Sequence, residues 1–140
     1  MREELDKLLQ LLPHQYPLRL VDRVLRYDPG NRLIAAFSAA PLAPYFTPRT
    51  TIPQTILLEG LAQAAVILVQ LETASLKKGE IPLLGRVHAE IVGEAKWEER
   101  IRYEVRPERM LSRQASVAAR VFNEAGVQVA HATLYMAVGN

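Results

Sequence analysis

The stretch from Ile52 to Lys78, IPQTILLEGLAQAAVILVQLETASLKK, restricts the fold more than any other part of the chain. Pro53 followed by Gln54 and Thr55 predicts a helix start, because a proline fits the first turn, where its missing N–H is not needed. Lys77, Lys78 and Gly79 predict its end, since basic residues and a glycine suit the negative terminus of a helix. Such a helix is roughly 35 Å long at 1.5 Å per residue. Ile56, Leu57, Leu58, Leu61, Val66, Ile67, Leu68, Val69 and Leu71 cover most of its circumference, so the expectation is a buried helix. It carries one polar stripe, Glu59, Gln63 and Gln70, on a single face. A carboxylate two turns into a buried helix is costly unless something pairs it or uses it.

A chain of 140 residues, 49% of them hydrophobic, fits one domain spanning 1–140 with a sizeable core. It has no cysteine, which excludes disulfides, zinc thiolates and thiol nucleophiles. No histidine has a metal-ligand spacing partner, so neither a metal nor another cofactor is expected. MREELDKLLQLL is charged and amphipathic, without the pattern of a signal peptide, and the longest wholly apolar run of the main helix, Ala64 to Val69, is far short of a membrane span. The expectation is a cytoplasmic protein. The formal charge of +2 comes with scattered arginines and no nucleic-acid-binding motif, which argues against nucleic acid as a partner. An acidic protein partner is compatible with this charge.

Residues 2 to 11 read as a short helix ended by Pro13, with Leu5, Leu8, Leu9 and Leu12 on one face. Leu18, Leu20, Val24 and Leu25 suggest a strand, Asp28-Pro29-Gly30-Asn31 a turn, and Arg32 to Ser38 a second strand. Residues 39 to 53 hold four prolines and no clear period, and read as a structured loop. After the buried helix come four more strands: Leu83 to Val92, Arg100 to Arg106, Ser112 to Phe122 and Val127 to Val138. The second of these alternates cleanly, with Ile101, Tyr103 and Val105 on one face. The last two flank the turn Asn123-Glu124-Ala125-Gly126 as a hairpin. One helix buried by one mostly antiparallel sheet is an α+β arrangement. A helix apolar nearly all round needs a curved sheet to wrap it, which is the layout of the hotdog fold.

Two stretches resemble a known family. LPHQYPLRLVDRVLRYDPGNR (Leu12 to Arg32) is similar to the N-terminal segment of the hydroxyacyl-acyl carrier protein dehydratases of bacterial fatty acid synthesis. ILLEGLAQAA (Ile56 to Ala65) resembles the first half of their central helix. The resemblance implies a hotdog fold and a homodimer whose sheets join, with three dimers commonly forming a hexamer. It also implies a substrate carried as a phosphopantetheine thioester, on acyl carrier protein or coenzyme A, in a tunnel at the dimer interface. In that family a loop His takes a proton from C2 of the acyl chain. A Glu on the partner's central helix handles the departing hydroxyl, and an N–H at the helix start polarises the thioester carbonyl.

By this resemblance Glu59 falls on the family's Glu, and Gln54 on the residue whose N–H serves the carbonyl. Arg49 and Pro53 also match. With Phe46 and Gln63, the backbone N–H of Gln54 and Arg49 make up the expected substrate-binding set. The loop departs from the pattern: Ala43 to Pro48 stands where Gly-His-Phe-Pro does, and Tyr45 takes the place of the His. A later Pro-Gly-Asp motif is replaced by GEAKWEER, with Trp97 near its place. An unperturbed tyrosine titrates near 10 and is phenolate in only about one part in a thousand at neutral pH. A phenol is therefore a poor general base, and the two-residue dehydration is not expected to run as written.

Each candidate also has a plain reading. His14 is expected in the family's own Pro-His-x-Tyr-Pro stretch and reads as structural; His88 and His131 read as hydrogen-bonded strand residues. Glu59 is either a carboxylate held in an acyl pocket or a buried acid paired with an arginine. Gln63 either holds a water beside it or satisfies the core. Tyr45 is a vestige, a donor to a ligand, or packed against Phe46. Three functions fit: a dehydratase-related acyl-thioester protein with weak or lost activity; a thioesterase using Glu59; or a non-catalytic acyl-carrier or acyl-chain binding subunit, pairing with an active homologue.

Overall fold

In the computed structural model, residues 2–11, 19–46, 48–73, 81–111 and 113–139 are described. A short helix α1 (Arg2–Lys7) continues as a 3-10 turn, Leu8–Leu11. Strands β1 (Arg23–Asp28) and β2 (Arg32–Ser38) follow, then a 3-10 segment Ala40–Phe46 inside the expected loop. Helix α2 spans Gln54–Glu72. Four strands complete the chain: β3 (Ile81–Ile91), β4 (Arg100–Met110), β5 (Gln114–Phe122) and β6 (Gln128–Gly139). They form one antiparallel sheet in the order β1-β2-β4-β5-β6-β3.

The inner face of this sheet carries alternate apolar residues: Leu33, Ala35 and Phe37 of β2, Ile101, Tyr103 and Val105 of β4, Val117, Ala119 and Val121 of β5. They meet α2, which is buried on every side from Gly60 to Val69. This is the hotdog layout. By length and apolarity α2 resembles a membrane span, but its apolar surface is mostly buried inside the protein.

Several boundaries differ from expectation. Helix α2 stops at Glu72, because Thr73 turns extended and its N–H caps the Val69 carbonyl. The expected stop signals Lys77, Lys78 and Gly79 lie outside the described residues, as do Leu12, Leu18 and His14. Pro53 is the cap rather than part of the first turn; its carbonyl accepts from the N–H groups of Ile56 and Leu57. The first strand begins at Arg23, later than expected, since Leu20 and Val21 are buried before the ladder starts. The turn after it closes as predicted, with the Asn31 N–H donating to the Asp28 carbonyl at 2.9 Å and Gly30 at φ 75°.

The lower end of α2 is tied to this turn. Glu72 Oε2 accepts from the Tyr27 hydroxyl at 2.5 Å and from the Gly30 N–H at 2.8 Å. Burial and the neighbouring Glu72 carboxylate hold the Tyr27 phenol above its ordinary range.

Candidate functional site

The site is laid out around the first two turns of α2. The N–H groups of Gln54 and Thr55 lead the helix, and no hydrogen bond among the described residues takes them up. They form the positive end of a 19-residue dipole. Glu59 follows in the second turn. The expectation of a buried carboxylate is corrected here: within one chain Gln54, Thr55 and Glu59 are exposed, while Ile56, Leu57 and Gly60 are buried. The first turns are therefore covered on one face and left open on the other by their own chain. Glu59 has no ion pair or hydrogen bond among the described residues.

Gln63, one turn further, behaves differently. It is 1% exposed, and its Oε1 accepts from the Leu20 N–H at 2.6 Å. Of the two readings left open by the sequence, it satisfies the core. The Leu20 carbonyl in turn accepts from the Tyr103 hydroxyl at 3.3 Å. Both polar groups of Leu20 are thereby fixed against α2 and β4. Tyr103 is fully buried, and burial together with the charge of Asp22 pushes its phenol up. Its ring end lies over Gly60, where an added Cβ would stand 2.0 Å from the hydroxyl oxygen. Gly60 therefore permits the contact that seats the segment before β1 beside Glu59. The pattern Glu59-Gly60 gave no such signal in the sequence, because its partner lies on a strand 43 residues later.

The loop before α2 is held by residues 93–100, GEAKWEER. The Ile52 N–H donates to the Ala95 carbonyl at 2.8 Å, and Thr51 bridges Lys96. Trp97, 5% exposed, donates its Nε1–H to the Arg49 carbonyl at 2.9 Å. Its ring meets Phe46 at 5.4 Å between centroids. Phe46 thus packs on Trp97 rather than on Tyr45, correcting the packing expected for Tyr45, which is 82% exposed. The Arg49 side chain is exposed as well. Within one chain, the expected residues fall into two groups: Gln54, Glu59, Tyr45 and Arg49 face outward around the helix start, and Gln63 and Phe46 hold that region together.

His88 and His131 lie on β3 and β6, as read from the sequence. His131 Nε2 is 3.1 Å from a Glu90 oxygen, and the His88 ring meets Tyr135 edge-on at 5.9 Å.

Residues 7–137 match the ApeP-like family, whose description is ApeP dehydratase. Among curated relatives, a 3-hydroxyacyl-(acyl-carrier-protein) dehydratase FabZ from Nitrosospira multiformis is 38% identical over 81 residues, 55% of this chain and 55% of that one. The corresponding FabZ of Burkholderia mallei is 41% identical over 69 residues, 46% of this chain and 44% of that one. The alignments therefore span about half the length of these relatives. Among solved structures, a Streptococcus mutans protein bound to acetyl CoA superposes with a TM-score of 0.70 at 13% identity, covering 91% of this chain and 97% of the other. A hypothetical thioesterase from Streptococcus pneumoniae with coenzyme A gives 0.69 at 9% identity, covering 84% of each. At such identities the likeness is one of fold, and the fold is that of the hotdog thioesterases. Sequence match and architecture agree, and the chain belongs to the ApeP-like dehydratase family, FabZ-related proteins built on the hotdog fold.

Proposed function

We propose that this chain binds acyl groups carried as thioesters on acyl carrier protein or coenzyme A, as a cytoplasmic homodimer, with dehydratase activity that is weak or lost. The observation that carries this reading is the helix start: an unclaimed N–H, Gln54, and a carboxylate, Glu59, both belong to exposed residues in the first two turns of α2, uncovered by their own chain. A second copy is the natural cover, because β3 is an edge strand of 11 residues with Leu83 and Leu84 about half exposed. In such a site the Gln54 N–H polarises the thioester carbonyl, which acidifies the C2 proton. Dehydration removes that proton and expels the C3 hydroxyl as water, leaving an enoyl thioester. Without an imidazole, one carboxylate has to take the C2 proton and deliver it to the departing hydroxyl, with Tyr45 as a weak donor at most.

The test is to incubate the purified protein with 3-hydroxyacyl-acyl carrier protein and follow the enoyl product. A missing general base lowers the rate by about 10²–10⁴-fold, so slow turnover is expected, with Tyr45→His raising it. Turnover at ordinary dehydratase rates, abolished by Glu59→Gln, would refute the assignment of a weakened site.

A second reading is a thioesterase, favoured by the thioesterase names among the structural neighbours. There Glu59 activates water or attacks the thioester carbonyl. Free thiol release from acyl-CoA or acyl-carrier substrates is its signature, and none across chain lengths would remove it.

A further inference from the structure

Four residues on four adjacent strands stand in one row. Arg86 of β3 pairs with Tyr135 of β6, Tyr135 with Ser116 of β5, and Ser116 with Arg109 of β4. Directly opposed residues share a face of the sheet. Their strand neighbours Val117 and Leu134 are buried against the core, so the row lies on the face turned away from α2.

Both outer strands of the row carry a bulge, and the one in β4 completes it. β3 slips its register between Leu84 and Arg86, and β4 between Pro107 and Arg109. Without the β4 insertion the two-residue period would turn Arg109 inward, onto the core, whereas Arg86 faces outward by plain alternation with Val87 in its own strand. A bulge interrupts the ladder, and bulges recur where a side chain has to be re-aimed. Here the β4 bulge re-aims Arg109 into register with Ser116, level with Arg86 across the sheet.

The row lines a groove of about 800 Å³, within the size of a small-molecule site. The Arg86 guanidinium lies 4.4 Å from the centroid of the Tyr135 ring. Arg109 is exposed and has no ion pair or hydrogen bond among the described residues. Ser116 is only 8% exposed, yet its hydroxyl has no hydrogen-bond partner among the described residues. A buried hydroxyl left without a partner calls for a water, an ion or a ligand. Glu108, the extra residue of the β4 bulge, lines the same groove, so one carboxylate faces two guanidinium groups.

We propose that this row binds a phosphate group, free or carried by a small molecule. Strands are spaced about 4.8 Å apart, so the backbones of Arg86 and Arg109 stand roughly 14 Å from one another, and their side chains reach in from both sides. The Ser116 Oγ–H donates from the floor. Two guanidinium forks and a hydroxyl supply more donors than a carboxylate can accept, and suit the three free oxygens of a phosphomonoester. Tyr135 offers apolar surface to the rest of such a ligand. Nothing in this row depends on thioester chemistry at the α2 start.

Calorimetric titration of the intact chain at low salt, with inorganic phosphate and separately with adenosine 5′-monophosphate, tests the site. Saturable binding is expected, weakened about tenfold or more by Arg86→Gln and by Arg109→Gln, as for the loss of a charge-assisted bond. Ser116→Ala, which fills nearly the same volume, is expected to weaken it as well with an unchanged melting temperature. Tighter binding of the nucleotide assigns the groove to a carried phosphate; equal binding assigns it to the free ion. Arg120→Gln removes an exposed arginine of the same face outside the row and leaves affinity unchanged. No binding of either probe at millimolar concentration, or an Arg120→Gln loss as large as that of Arg109→Gln, overturns the proposal.

Discussion

Replacing Gly60 with alanine sets helix propensity directly against packing. In an exposed helix interior the change is favourable by about 1 kcal/mol. Here the new Cβ would stand 2.0 Å from the Tyr103 hydroxyl oxygen, 2.6 Å from its Cζ and 3.2 Å from the Leu20 carbonyl. The Tyr103 ring has no room to withdraw, being fully buried on β4 between β2 and β5. Overpacking of this kind costs about 1–3 kcal/mol. Displacing the hydroxyl from the Leu20 carbonyl leaves buried polar groups unpaired, at about 1–3 kcal/mol more. The net expectation for Gly60→Ala is a loss of about 3 kcal/mol, or roughly 10 °C in Tm for a domain of this size. Thermal and urea unfolding followed by circular dichroism measure it. In the Tyr103→Leu background, which removes both clashing atoms, the added loss from Gly60→Ala should shrink to near zero. A Tm unchanged or raised in the wild-type background would show that Tyr103 does not lock the helix at Gly60.

The same seat is probed from the other side by Gln63→Leu, which leaves the Leu20 N–H unpaired and should lower stability by about 1–3 kcal/mol, with faster amide exchange at Leu20; protection at Leu20 equal to wild type would contradict the bond. The phenols of Tyr27 and Tyr103 are both held above their ordinary range, so each contributes stability that is complete below about pH 10 and lost as pH rises beyond it. Unfolding free energy should therefore fall in that alkaline window, less steeply in Tyr27→Phe; equal slopes for the two proteins would exclude Tyr27 as a source. For the assembly, light scattering should give a dimer mass for the wild type and a single-chain mass for Leu84→Lys, and a wild-type monomer would remove β3 as the joining edge.

Local patterns in the chain were sufficient for most of the architecture. The apolar character of Leu61 to Val69 on nearly every side requires burial whatever surrounds it, because no broad exposed face could tolerate it. The alternation of Arg100 to Arg106 places Ile101, Tyr103 and Val105 inward, where they are found. Gly30 and Gly126 both adopt positive φ at the two turns marked by their glycines. The family resemblance rested on short segments whose chemistry is local in sequence, and these were read correctly.

The sequence alone therefore determined the element order, the buried helix and the family. It could not determine which side of α2 its own sheet leaves open, and so it placed Glu59 in the interior, whereas one chain leaves that carboxylate exposed. It could not show that Gln63 answers Leu20, that Gly60 makes room for Tyr103, or that Trp97 holds the loop before the helix, since these partners are 43 to 48 residues apart and nothing local marks them. Nor could it locate the bulge that brings Arg109 into one row with Arg86, because register is fixed by pairing with other strands rather than by a strand's own residues. Periodicity travels along the chain, but contact and register exist only between distant parts of it, and those were decided by the tertiary structure.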